Sequence, residues 1–286
     1  MPYTGPMTAL GRFNELTVLK TSPQGALLDG GTLGELLLPL KEMPAGTAPG
    51  AVLKVFLYLD SEDRVVATTA KPAAQVREVA YLKIVAVGDA GAFLGWGLPK
   101  DLLLPWSEVK REQKHLVVEG RKLMVCLFLA EDGRIAASAR LDEFLSDEAE
   151  GLKEGEKVQI IVAERTDLGL RVVVNHRFYG LVHANEVFGN VPRGHKQDGY
   201  VKALRPDRKL NIALTAPGYA KVGAAAEGIL QVLKRHGGSM AVSDKTAPEE
   251  IHALFGVSKK VFKQTIGALY KSRRLAIDDR GIHLHD

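Results

Sequence analysis

The chain has 286 residues, of which 46% are hydrophobic and 25% are charged, as in soluble globular proteins and unlike disordered ones. Its apolar runs are shorter than the roughly 20 residues that a membrane-spanning helix needs, and residues 1–19 lack the pattern of a secretory signal. With a single cysteine, Cys126, the chain cannot form an intrachain disulfide, so we expect a cytoplasmic protein made of several small domains.

The net charge of +4 is unevenly distributed along the chain. Residues 1–150 contain 16 basic and 20 acidic residues, whereas residues 151–218 and 219–286 each contain 11 basic and 7 acidic residues. Lysine and arginine give affinity for nucleic-acid phosphates because they displace counterions. If the chain binds nucleic acid, its basic second half should dominate; the alternative is that the scattered charge only keeps the protein soluble.

A motif of constant spacing occurs three times in the first 218 residues. In each copy a glycine is followed, 14 residues later, by the last residue of a second apolar segment. These pairs are Gly25 and Pro39, Gly91 and Pro105, and Gly169 and His183. Each copy then ends in a further apolar segment, at residues 63–68, 133–138 and 208–214. Three matches at one spacing indicate an internal repeat.

Each repeat predicts five short strands, because apolar residues alternate with polar ones between turn residues. In the third repeat the predicted strands are residues 157–165, 169–174, 178–183, 199–204 and 209–215. Five strands in about 70 residues are typical of a closed OB-type barrel. We therefore predict a mainly β protein with barrels at 1–71, 72–142 and 150–218, a helical turn within 107–115 and a short linking helix at 141–150.

The third repeat resembles the S1 RNA-binding domain. Residues 180–187, Gly-Leu-Val-His-Ala-Asn-Glu-Val, are similar to the third-strand signature of that family, and residues 91–94 and 207–214 resemble its second and closing strands. The resemblance implies an RNA surface on the second and third strands and nearby loops. Residues 171 and 173 share one face of their strand, where a ring or a guanidinium can stack on an unpaired base for roughly 1–3 kcal/mol.

The three repeats differ at the two positions of that surface. The first has Leu27 and Pro39, so we expect it to be structural. The second offers Phe93, Trp96 and Trp106 for stacking, although Phe93 and one tryptophan could instead fill the barrel or an interdomain contact. We predict that the third is the main RNA-binding barrel. Its candidate residues are Arg171, Arg177, Phe178, Tyr179, His183, Arg193, Lys196, Arg208 and Lys209.

Residues 219–286 predict a winged helix, an α+β domain. Helices are expected at 222–236, 248–255 and 259–272, followed by a hairpin over 275–284. The basic candidates on or just after the third helix are Lys259, Lys260, Lys263, Lys271, Arg273 and Arg274. In nucleic-acid-binding winged helices that helix approaches the groove; a solvated face or a protein-binding surface is the alternative.

Three S1-like barrels followed by a winged helix resemble the conserved virulence factor B (CvfB) family of bacterial RNA-binding proteins. The resemblance covers almost the whole chain and implies a regulator of gene expression that binds RNA. We predict a single-stranded RNA partner, no cofactor, no metal site and no enzymatic activity. The alternatives are a DNA-binding transcription regulator, a nuclease or nuclease-associated protein, and a protein-binding scaffold. The sequence leaves the target RNA and the oligomeric state open.

Overall fold

The computed structural model describes residues 8–60, 62–187, 191–215 and 219–285. The described chain forms two compact units. The first comprises the described residues up to 151 together with 159–197 and 205–210, and the second comprises 152–158, 198–204 and the described residues from 211 onward. The predicted boundary at 216–218 lies outside the described residues. None of the described helices combines the length and the apolar character that a membrane crossing requires.

The first repeat forms a nearly closed five-stranded sheet. Its strands are β1 (Phe13–Ser22), β2 (Gly25–Asp29), β3 (Glu35–Pro39), β4 (Val52–Leu59) and β5 (Val65–Thr68). They are ordered β3-β2-β1-β4-β5, and the two edge strands lie close to each other without a hydrogen-bonded ladder. Leu28, Leu38 and Leu57 are fully buried inside it, as the alternating pattern predicts.

The second repeat is a closed barrel. Its strands are β6 (Val79–Val87), β7 (Gly91–Gly95), β8 (Leu102–Pro105), β9 (Lys122–Leu129) and β10 (Ile135–Ser138), in the order β10-β8-β7-β6-β9. The parallel pairing of Ala136 on β10 with Leu103 on β8 closes the sheet. Two 3-10 segments, Trp106–Glu108 and Arg111–Leu116, confirm the helical turn predicted within 107–115.

The third repeat is also a closed barrel. Its strands are β11 (Lys157–Thr166), β12 (Gly169–Val174), β13 (Phe178–His183), β14 (Lys196–Leu204) and β15 (Leu210–Ala213), in the order β11-β12-β13-β15-β14. Both β12 and β13 have the predicted bounds. The predicted three-barrel architecture is therefore confirmed, with the first barrel nearly rather than fully closed.

The 14-residue spacing of the repeat is the register of one strand pair. Gly25 lies directly opposite Pro39, Gly91 opposite Pro105, and Gly169 opposite His183. The three glycines have φ of 145°, 152° and 140°. A Cβ on any of them would clash with the carbonyl oxygen of the partner strand, that of Leu38, Leu104 or Val182. Only glycine permits both this backbone conformation and this close approach.

The predicted linking helix at 141–150 is wrong. The segment contains a single 3-10 turn, Leu141–Glu143. It then runs beside the third barrel, where Ser146 bridges to Phe178 and the Ala149 backbone nitrogen donates to the carbonyl oxygen of Arg208 at 2.9 Å. Leu145 and Ala149 are buried there. These tertiary contacts take the backbone hydrogen bonds that a helix would have used.

The C-terminal module is a winged helix, as predicted. It contains α1 (Tyr219–Arg235), β16 (Ser239–Met240), α2 (Pro248–Phe255), α3 (Lys259–Lys271), β17 (Leu275–Asp278) and β18 (Gly281–Leu284), with sheet order β16-β18-β17. Gly256, with φ of 68°, ends α2, and the Ser258 hydroxyl caps α3 by accepting from the Val261 backbone nitrogen. Leu233 and Phe262 are fully buried in its core.

Candidate nucleic-acid interface

One exposed side of α3 carries a basic groove. Lys260, Lys263 and Lys271 are exposed along it, and Gly267 lies between them on the same helix face. The groove is shallow and open to solvent, because only residues of α3 and Ser272 line it. Its lining, here called the α3 groove, consists of Lys260, Lys263, Gln264, Gly267, Ala268, Lys271 and Ser272. Small residues at its centre leave room for a ligand backbone, and the lysines supply positive charge at its edges.

The α3 groove contains three of the six basic residues predicted for this module. Lys263 also forms an ion pair with Asp244 at 3.2 Å, but both side chains are exposed. Such surface pairs contribute roughly 0–1 kcal/mol, so a phosphate can replace the carboxylate. Lys259 is partly buried and Arg273 is exposed just beyond the helix, both outside the groove lining. Arg274 is paired with Glu227 at 2.9 Å.

Gln264, Gly267 and Ala268 were missed by the sequence reasoning because they carry no charge. Their signal is positional. Gln264 lies four residues after Lys260, and Gly267 lies seven residues after Lys260. All three therefore lie along one side of the helix. The same periodicity that places the lysines together could have identified the uncharged residues between them.

The contacts of Arg171 restrict the stacking role that the sequence predicts for it. Its guanidinium lies over the ring of Tyr179, 3.7 Å from the ring centroid. It also contacts Asp147 and Glu164, each at 3.4 Å. One face of the guanidinium is therefore covered by a ring, and its charge is balanced by two carboxylates. These contacts fix the position of the Arg171 side chain. An unpaired base could stack only on the face of the guanidinium that Tyr179 does not cover.

Phe178 and Tyr179 are corrected, because both are buried. Tyr179 packs in a cluster that joins the second and third barrels, together with Val79, Met124 and Ile161. Its hydroxyl donates to Asp142 at 3.1 Å, and burial raises the pKa of Tyr179. The alternating sequence pattern predicts which residues fill the interior of a barrel. It does not predict that a neighbouring barrel buries the outer face of a strand. Rings in that position cannot stack on a base.

The side chain of Asp142 is fixed from two directions. Lys110 donates to it at 2.6 Å, and this hydrogen bond, with the one from Tyr179, holds the pKa of Asp142 below its ordinary value. Arg171, Tyr179 and Asp142 thus form a connected polar network beside the apolar cluster. The hydrogen bonds from Lys110 and Tyr179 to Asp142 and the contact of Arg171 with the Tyr179 ring connect it where the second and third barrels pack.

We expect Arg171→Ala to lower the free energy of unfolding by about 1 kcal/mol, because it removes a cation–π contact and two partly exposed ion pairs. RNA affinity should change less than about threefold. Denaturant unfolding and an RNA titration on the same preparation measure both effects. Arg165→Ala is the matched control, since Arg165 is exposed on the neighbouring strand β11. A tenfold loss of affinity with unchanged stability would restore Arg171 to the binding surface.

The remaining candidates of the third barrel are more accessible. His183 is partly exposed at the end of β13, and Arg177, Arg193, Lys196 and Lys209 are exposed. Some have local contacts: Arg193 lies 5.6 Å from the centroid of the Tyr81 ring, and Lys196 donates to the carbonyl oxygen of Ala73 at 3.2 Å. Arg208 is paired with Glu148 and Glu150 at 3.6 and 3.4 Å.

Of the three aromatic candidates in the second barrel, one is exposed, one is partly exposed and one is buried. Phe93 is 36% exposed on β7, so its ring can meet a ligand. Trp106 is partly exposed, with its Nε1 donating to the Gly88 carbonyl oxygen. Trp96 is corrected: it is buried, packs edge-on against Phe56 at 5.9 Å, and donates from Nε1 to the Lys100 carbonyl oxygen. Trp96 is therefore a core residue where the first and second barrels meet.

His176 makes a hydrogen bond that depends on pH. Its Nδ1 accepts from the backbone nitrogen of Val79 at 2.9 Å, and burial lowers the pKa of His176 below its ordinary value of 6.5. Lys196 lowers this pKa further, whereas Glu78 opposes the shift. Because the folded-state pKa is depressed, the unfolded chain binds the proton first as the pH falls. The folded state is therefore fully stable above pH 6.5 and loses stability below it.

We expect His176→Asn to remove this loss of stability in acid. Asparagine tolerates the left-handed backbone at this position, where φ is 57°, and its Oδ1 can accept the Val79 hydrogen bond. As the pH falls below 6.5, the wild type should lose up to about 1.4 kcal/mol per pH unit more than the variant, whereas above pH 7 the two profiles should run parallel. Thermal unfolding at several pH values measures the difference. Profiles that stay parallel in acid would contradict this interpretation.

Two domain families and several bacterial proteins are similar to this chain. Residues 227–284 match the model of the CvfB-like winged helix domain, and residues 10–70 match the S1 domain. The chain is 27% identical over 248 residues to the uncharacterized protein YitL of Bacillus subtilis, covering 84% of this chain and 82% of that one. It is 23% identical over 239 residues to conserved virulence factor B of Staphylococcus saprophyticus, covering 82% and 80%.

A solved structure described as a multidomain protein with nucleic acid binding domains from Streptococcus pneumoniae aligns with 96% of this chain and 98% of its own, at 23% identity and a TM-score of 0.40. The matched domains and relatives confirm the predicted resemblance to the conserved virulence factor B family. S1 and winged-helix domains together indicate that the chain binds nucleic acid.

Proposed function

We propose that this chain is a cytoplasmic protein that binds single-stranded RNA and regulates gene expression. The α3 groove is the observation that carries the proposal. Three exposed lysines border a depression whose centre contains glycine and alanine. Lysines in this arrangement can contact successive phosphates and release their counterions, which makes binding favourable and sensitive to salt.

Accessible flat groups support a single-stranded partner over a duplex. Phe93 is exposed, and Trp106 and His183 are partly exposed. Rings of this kind can stack only on bases that are not already stacked within a helix. Exposed Arg193, Lys196 and Lys209 add phosphate contacts on the third barrel. The barrels thus supply stacking and the winged helix supplies charge.

Duplex DNA is the second candidate, and one observation favours it. Helix α3 follows α2 after a turn at Gly256, which is the helix-turn-helix arrangement in which the second helix enters the major groove. A DNA-binding regulator would use the same lysines but not the exposed rings of the barrels. The two candidates therefore differ in how binding responds to duplex formation.

A competition titration distinguishes the two partners. A fluorescently labelled single-stranded RNA is bound to the full chain, then displaced by unlabelled RNA homopolymers or by duplex DNA at two salt concentrations. The proposal expects RNA to compete at least tenfold better than duplex at both concentrations. Better competition by the duplex would favour the DNA-binding function, and failure of the labelled RNA to bind in the first step would favour a protein-binding scaffold.

We also propose that the chain binds RNA without cleaving it. Labelled RNA incubated with the full chain and Mg²⁺ or Mn²⁺ should remain intact over hours on a denaturing gel. A nuclease of known activity, added in a parallel reaction, is the positive control. Cleavage that depends on the added metal and on the concentration of this chain would instead assign it an enzymatic function.

A further inference from the structure

A second cleft lies within the first compact unit and has no role in the proposed function. It has a volume of about 960 Å³, in the range of small-molecule sites. Three exposed arginines contribute to its wall, Arg12, Arg77 and Arg177, together with the partly buried rings of Phe128 and Phe144. These five residues define what is here called the arginine cleft.

The three arginines have no carboxylate within 4 Å among the described residues. Among the described residues the Arg12 guanidinium donates to the carbonyl oxygen of Val76 at 3.0 Å, and the guanidinium of Arg177 lies 4.9 Å from the centroid of the Phe178 ring. A guanidinium group without a carboxylate partner can still pair with an anion. Guanidinium groups suit phosphate in particular, because they present paired donors.

Glutamates also line the cleft, but other groups hold them. Glu148 and Glu150 pair with Arg208, and Glu143 pairs with Arg140 at 3.1 Å. The Glu78 carboxylate accepts from the backbone nitrogen of Gln75 at 2.9 Å. The carboxylates are therefore neutralised or hydrogen-bonded without Arg12, Arg77 or Arg177. Those three arginines remain available to a ligand.

The backbone around the cleft is unusual. Of the six non-glycine residues with positive φ among the described residues, four line it: Arg77, Asn175, His176 and Arg208. Asn175 and His176 are the central residues of the turn between β12 and β13, which the hydrogen bond from the Arg177 backbone nitrogen to the Val174 carbonyl oxygen closes at 3.0 Å; positive φ is expected there. Arg77, with φ of 67°, occupies a conformation that glycine adopts more easily. Strained conformations of this kind concentrate at functional sites.

The aromatic wall indicates the rest of the ligand. The ring centroids of Phe128 and Phe144 are 6.0 Å apart, and Leu129 beside them is 43% exposed. An apolar wall next to unpaired guanidinium groups fits a molecule that combines a flat ring with a phosphate. We propose that the arginine cleft binds a nucleotide, with its phosphate held by Arg12, Arg77 and Arg177 and its base against Phe128 and Phe144.

This site goes beyond the proposed function. Its residues come from segments that precede β1 and β6, from β9, from the 141–150 segment and from the turn between β12 and β13, and none of them lines the α3 groove. The bound nucleotide can be a free mononucleotide or one residue of an RNA strand, because both present the same base and phosphate. The two sources differ in whether a mononucleotide alone is sufficient.

Isothermal titration calorimetry on the full chain tests the proposal. The ligands are AMP, GMP, CMP, UMP, an RNA tetranucleotide and inorganic phosphate. The test variant is Arg77→Gly with Arg177→Gln. Glycine relieves the positive φ at position 77, so this variant should unfold at or near the wild-type temperature. Arg111→Gln with Arg121→Gln is the matched control, since both arginines are exposed and lie outside the cleft.

We expect at least one nucleotide ligand to bind the wild type and the control equally, and the test variant at least tenfold more weakly. If mononucleotides show this loss, the ligand is a free nucleotide; if only the tetranucleotide shows it, the ligand is part of a strand. Equal binding to the test variant, no binding of any nucleotide, or binding of inorganic phosphate as tight as that of the nucleotides would each overturn the proposal. A variant of the three α3 lysines, tested alongside, should keep this binding, which separates the two sites.

Discussion

Replacing Lys260, Lys263 and Lys271 together with glutamine is expected to weaken single-stranded RNA binding by about 10- to 100-fold at about 0.15 M salt. The three lysines border the α3 groove and are exposed, so glutamine removes charge without disturbing the core. Glutamine is also a good helix former, and α3 should therefore persist. Fluorescence anisotropy with a labelled RNA homopolymer measures the loss, and circular dichroism checks the fold.

The matched control removes the same charge elsewhere. Lys20, Lys41 and Lys54 are exposed in the first barrel, which we expect to be structural. Their replacement with glutamine should change RNA affinity less than threefold, although the net charge falls equally. If both triple variants lost affinity to the same degree, binding would depend on overall charge and the α3 groove would have no special role.

Gly91→Ala is expected to destabilise the second barrel by more than about 3 kcal/mol. Alanine at φ of 152° is strained, and its Cβ would clash with the carbonyl oxygen of Leu104 on the paired strand. The Cβ position is fixed by the backbone, and the atom that it meets is a backbone oxygen, so no side-chain rotation can relieve the clash. Chemical denaturation followed by circular dichroism should show an earlier transition, or a chain that does not fold under native conditions.

Gly120→Ala separates strain from steric clash. Gly120 also has positive φ, at 83°, but an added Cβ there would meet open space. We expect it to cost only about 1–2 kcal/mol, the penalty for a left-handed alanine. A Gly91→Ala variant no less stable than Gly120→Ala would show that the close strand approach does not explain the repeat.

The fold could be predicted largely because local patterns determine it. Alternation and turn residues located β12 and β13 at their observed bounds, and the recurring glycine spacing corresponds to a strand register. Signals for helix start and end located α2 and α3 equally well. The failure at 141–150 has a different origin. Its composition permits a helix, but burial of Leu145 and Ala149 against neighbouring strands favours an extended path.

The candidate site was less predictable because it depends on how barrels pack. Trp96, Phe178 and Tyr179 have the residue types of a stacking surface, yet contacts with core groups and neighbouring barrels bury them. The basic residues of α3 were easier to predict, because helical periodicity alone places them on one side of the helix. Of the five residues that define the arginine cleft, only Arg177 was a candidate, and the cleft itself was not predicted. Arg12, Arg77 and Arg177 are far apart in sequence, and no spacing relates them.

The salt dependence of RNA binding tests the central claim most directly. The association constant of the wild type and of the triple α3 variant is measured on one single-stranded RNA over a range of salt concentrations. Each phosphate contact on a single strand contributes about 0.7 to the slope of log K against log salt, so the wild-type slope should be steeper by about 2. Equal slopes for the two proteins would contradict the claim that the α3 lysines bind phosphate.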